Sequence, residues 1–82
     1  MKGEFMKKTE IKTITYDTGF RNFMVDVVET EYGYEAFLYK SNYGIKELMF
    51  GLQEKNIEEF VEIVEANLLV HMSIYEEEYC NQ

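Results

Sequence analysis

Eighty-two residues, a formal net charge of −8 and a single cysteine bound what this chain can be. Apolar residues make up 46% of it and aromatics 16%, enough for one modest core, so wholesale disorder is excluded. The negative field repels phosphate backbones and anionic headgroups, which argues against free nucleic acid and membrane surfaces as partners.

Residues 1–8 are read as a disordered or cloning-derived end. Gly3-Glu4-Phe5 has the look of a cloning scar, and Met6-Lys7-Lys8-Thr9 that of a second start. Residues 9–79 are expected to form a single α+β domain, with 80–82 as a tail. Thr9 to Tyr16 is rich in β-branched residues and reads as a first strand ended by Asp17-Thr18-Gly19. A second strand is expected from Phe20 to Thr30, with Phe23, Val25 and Val27 turned to the core and Met24, Asp26 and Val28 turned away. Glu31-Tyr32-Gly33 is a tight turn. A third strand follows from Tyr34 to Lys40, with Ala36 and Leu38 inside and Phe37 and Tyr39 outside. Ser41 to Gly44 turns the chain again, and a fourth strand runs from Ile45 to Phe50, closed by Gly51.

Asn56 followed by Glu59 is a helix-start signature. Ile57, Phe60, Val61, Val64, Leu68, Met72 and Tyr75 then recur at three- and four-residue steps. This predicts one long amphipathic helix of roughly 24 residues, reaching about Tyr79 and packed across an antiparallel four-stranded meander.

Charge is divided unevenly along the chain. Residues 1–52 carry eight acids against seven bases, and residues 53–82 carry eight acids against Lys55 alone. Glu58, Glu62 and Glu65 stand one helical turn apart on one stripe, flanked by Glu59, and Glu76, Glu77 and Glu78 end the helix, where the last turn is expected to fray. Two readings stay open for these residues: a solvated face kept charged for solubility, or a negative rail for a basic partner surface. Tyr32, Tyr34, Tyr39 and Tyr43 crowd the central hairpin. Tyr32, Tyr39 and Tyr43 are candidate anchors for a protein partner, set against ordinary cross-strand packing.

No nucleophile–base pair, phosphate-binding glycine loop or cofactor fingerprint is present, so neither catalysis nor a cofactor is expected. His71 is expected at the edge of the core or in a subunit interface, and its spacing from Cys80 fits no metal site. Cys80, unpaired and expected to be exposed, suits a reducing compartment, and a cytoplasmic location is expected.

On size, on the acidic helix from Asn56 to Glu65 and on the tail Glu76-Glu77-Glu78-Tyr79, the chain resembles the small acidic inhibitors of phages and mobile elements, of the anti-CRISPR and DNA-mimic kind. That resemblance implies an inhibitor seated on the basic nucleic-acid-binding surface of another protein. The alternative is a self-associating structural or adaptor module. Leu69, Val70 and Ile74 widen the apolar surface of the helix beyond one stripe, and two chains could then pair helices or share sheet edges.

Overall fold

The computed structural model describes residues 9–53 and 56–80. The expected end segment 1–8, Lys55, and Asn81 and Gln82 of the tail lie outside the described residues. Four antiparallel strands, β1 (Glu10–Asp17), β2 (Phe23–Thr30), β3 (Gly33–Lys40) and β4 (Glu47–Gln53), form one sheet in the order β1-β2-β3-β4. The α+β class and the antiparallel meander are therefore as the sequence pattern predicts.

The turns explain the differences in strand bounds. Between β1 and β2 the Asp17 carboxylate accepts from the Gly19 amide at 2.8 Å, and Gly19 takes φ +84°. Arg21 and Asn22 also enter the left-handed region, at φ +35° and +67°. The loop thus consumes Phe20 to Asn22, and β2 starts at Phe23 rather than at Phe20. Between β2 and β3 the Thr30 hydroxyl donates to the Gly33 carbonyl at 3.0 Å and accepts from the Tyr32 amide at 3.1 Å. That closes a two-residue turn whose following glycine sits at φ +133°. At the third connection the Ile45 carbonyl accepts from the Tyr75 hydroxyl at 2.7 Å, which draws Ile45 out of the ladder. β4 consequently begins two residues later than expected, at Glu47, and runs through Gly51 instead of stopping there.

The long helix is divided. α1 (Ile57–Ala66) and α2 (Leu68–Tyr75) are separated at Asn67, and a single π-helical turn over Glu76–Cys80 follows. Asn67 sits at φ −111°, ψ 8°, outside helical values. Its side-chain amide donates to the Ile63 carbonyl at 2.8 Å and its backbone amide to the Val64 carbonyl at 3.1 Å. An asparagine side chain competing for helix carbonyls disrupts the regular turn, and the apolar spacing alone does not reveal this. The start is as expected: the Asn56 side chain accepts from the Glu59 amide at 2.9 Å. The terminal glutamates remain helical as a π turn, so the expected fraying is not seen there.

The core lies between one face of the sheet and the helices. Phe23, Val25, Ala36, Leu38, Phe60, Val64 and Tyr75 are fully buried, with Val27, Met49, Leu68 and Met72 nearly so. Phe23 meets Tyr75 edge-on at 5.6 Å between ring centres, and Tyr34 stacks on Phe60 at 5.7 Å. The helices pack chiefly on β3 and β4, whereas β1 packs on β2.

Candidate interaction surface

The helix carries the acidic face outward. Glu58, Glu59, Glu62 and Glu65 on α1 are all exposed, as are Glu77 and Glu78 on the π turn. None of these six forms an ion pair with a described residue. Glu58 and Glu59 lie in the first turn, where the helix dipole favours anions, and Glu62 and Glu65 lie beyond it. Glu58 to Glu65 spans about 10 Å of axis at 1.5 Å per residue, so the rail is short, and the break at Asn67 separates it from Glu77 and Glu78.

Glu76 behaves differently from the other predicted glutamates. It is half-buried and clamped between Arg21, at 3.4 Å, and Lys40, at 3.6 Å. This pair of contacts ties the end of the helix to the β1–β2 loop and to β3. A glutamate already neutralised in this way has little left to offer a partner.

The candidate tyrosines do not form one patch. Tyr32 is in the β2–β3 turn at one end of the sheet, exposed. Tyr43 lies in the β3–β4 loop on the helix side, with its ring edge-on to Tyr75 at 6.4 Å. Its phenol is pushed above the ordinary tyrosine range, first by a hydrogen bond with Cys80. Tyr39 is on the opposite face, under the Lys46 ammonium at 4.9 Å from the ring centre. Alternation along β3 and the turn at 41–46 send the three hydroxyls in three directions. Cys80 is half-buried against the core, not exposed as the sequence suggests. His71 is also half-buried, with its ring 5.7 Å from that of Phe50 at the β4 side of the core.

A polar cluster that the sequence pattern does not reveal sits on the sheet face away from the helices. Asp26 is 5% exposed there. Its carboxylate accepts from Thr15 Oγ1 at 2.5 Å, from Tyr39 Oη at 3.3 Å and from Lys46 Nζ at 2.7 Å. Burial by itself would raise this carboxyl, but the hydrogen bonds from Lys46, Thr15 and Tyr39, with the Lys46 charge, outweigh it. They hold the group below the ordinary aspartate value. Glu10, Thr13, Val28, Phe37 and Lys46 join Asp26 around a shallow open cleft of about 250 Å³. With three donors committed to it, Asp26 is a clasp across β1, β2, β3 and the β3–β4 loop, and a poor proton acceptor. The signal available in sequence was one acid in a strand of otherwise apolar residues, Phe23 to Val28.

On the helix side, burial, then the Glu65 charge, pushes the Tyr16 phenol up. The buried Tyr16 hydroxyl has no hydrogen-bond partner among the described residues. At the C-terminal end, a hydrogen bond to the Glu47 carboxylate comes first among the causes that push the Tyr79 phenol up to about 12. Among the described residues no group of three His, Cys, Asp or Glu side chains is placed to hold a metal ion. None of their helices is long and apolar enough to cross a membrane. Comparison with protein-family models, with curated proteins and with solved structures finds no match to the chain.

Proposed function

We propose that this domain acts by contact, presenting the exposed glutamates of α1 to a basic surface of another protein, in the manner of an inhibitor that occupies a nucleic-acid-binding site. The observation that carries the reading is the state of Glu58, Glu62 and Glu65: exposed, one turn apart and without a described cation beside them. Like charges at this spacing cost a few tenths of a kcal/mol per pair in helix stability. A partner rich in Lys and Arg would convert that cost into attraction and steer the encounter over several ångströms. Glu59, Glu77 and Glu78 add to the field, while Glu76 serves the fold. Tyr32 and Tyr43, at the two ends of the meander, remain available as separate contacts.

The test is capture from a bacterial lysate at low and high salt, with the charge-reversed Glu58→Lys/Glu62→Lys/Glu65→Lys chain alongside. The captured protein is then identified and purified. The reading expects a protein that binds nucleic acid, with nucleic acid and this domain competing for it. Capture should be lost with salt, and the variant should fail to bind. Binding that ignores both salt and charge reversal would reduce the acidic face to a solvated surface.

A further inference from the structure

We infer that β1 is the contact edge of a two-fold dimer, in which a second copy of this chain adds its own β1 antiparallel to the first and extends the sheet to eight strands. β1 and β4 are the two edges of the sheet. β4 is ill suited to further pairing, because its register is broken on both sides of Ala36 of β3. β1 has a single irregularity, between Glu10 and Lys12, and then keeps a regular ladder with β2 from Lys12 to Asp17. That leaves six consecutive residues whose outer edge is unpaired among the described residues. The strand is rich in β-branched residues and every member but Tyr16 is exposed.

The helices pack chiefly on β3 and β4, so of the helix-facing side chains of β1 only Tyr16 is half-buried against the core, and Lys12 and Ile14 stand exposed beside it. Ile14 is 42% exposed, and the strand holds one base, Lys12, with acids only at its ends, Glu10 and Asp17. A two-fold axis through Ile14 keeps both sets of helices on one face. It sets Ile14 against the partner's Ile14, Thr13 against the partner's Thr15, and Tyr16 against the partner's Lys12. Tyr16 stands within the field of Glu65, and Glu65 has no described cation of its own. The partner's Lys12 therefore arrives where a negative charge and an aromatic face wait for it, once on each side of the axis.

Charge also selects this register over its neighbour. An axis through Thr13 would set the partner's Lys12 against Ile14, a step short of Tyr16 and of the charge of Glu65. A lysine on a sheet edge commonly blocks pairing, yet in the Ile14 register the two lysines stand apart and each meets an acid.

Sedimentation over a wide concentration range tests this, with far-UV circular dichroism confirming the fold of each variant. The native chain is expected to reach the mass of two 9.8 kDa chains. Ile14→Lys should remain monomeric. Lys12→Glu and Glu65→Lys should each weaken the dimer about tenfold, since two symmetric contacts turn repulsive. The double variant, which swaps the charges, should recover most of the loss. A chain monomeric at every concentration overturns the inference, as does a dimer indifferent to Ile14→Lys. A charge swap that fails to recover would exclude the Ile14 register.

Discussion

Asp26 shows how a single buried carboxylate can link four segments of a small sheet. Thr15 comes from β1, Tyr39 from β3 and Lys46 from the loop before β4, and all three donate to one side chain of β2. Its folded-state value is depressed, so the stabilisation is complete above the unfolded aspartate value and is lost as pH falls through the folded one. Asp26→Asn keeps the shape and removes the charge. Lys46 is about half exposed, so solvent screens the pair and the expected cost is about 1 kcal/mol at neutral pH. Urea unfolding at a series of pH values checks this. The gap between native chain and variant should close as the medium becomes acidic, and a gap independent of pH would show that the charge is not what stabilises. Alternation along β2 correctly puts Asp26 on the face away from the helices. Its burial depends on Lys46, twenty residues later, folding back over it, and no local pattern encodes that.

At the scale of elements, local signals and tertiary contacts divided the work. The period-two pattern of Phe23, Val25 and Val27 and the three- and four-residue steps from Ile57 to Tyr75 were legible, because each segment buries one face. Strand ends and the helix break were not, since both follow from side chains reaching beyond their own element. Tyr75 is the clearest case: its ring is fully buried, and its hydroxyl crosses to the Ile45 carbonyl and holds the β3–β4 loop against α2. The acidic stripe was legible for the same local reason, as helical spacing fixes which glutamates share a face. The three candidate tyrosines lie apart because proximity in a hairpin sequence does not survive alternation and turning. Tyr75→Phe keeps the packing and deletes the bond, so about 1 kcal/mol of stability should be lost. Amide exchange in the 41–46 loop should quicken more than exchange in β2. Uniform acceleration over the sheet would mean that the hydroxyl serves the core as a whole.

For the whole molecule the governing quantity is the excess of acid, net −7 over residues 53–82 and net −1 over the rest. Six exposed glutamates without described partners repel one another across the helical layer, and salt screens that repulsion within about 8 Å at physiological ionic strength. Thermal unfolding should therefore rise in temperature as sodium chloride is added from low to physiological levels. Glu58→Gln/Glu62→Gln/Glu65→Gln should begin higher and respond less. A melting temperature that falls with salt would mean that the Glu76 clamp and the Asp26–Lys46 pair outweigh the repulsion. The same layout has a kinetic corollary for the outermost strand. β1 is held to the rest of the fold mainly by its ladder to β2, while the apolar layer is assembled by β2, β3, β4 and the helices. Its opening free energy then lies below that of the whole domain, so β1 can detach while the core stays closed. Each such excursion lays bare the Val25–Val27 side of β2, making a fleeting vacancy that another chain's first strand could fill. The strand most available for pairing is thus also the one most easily exchanged.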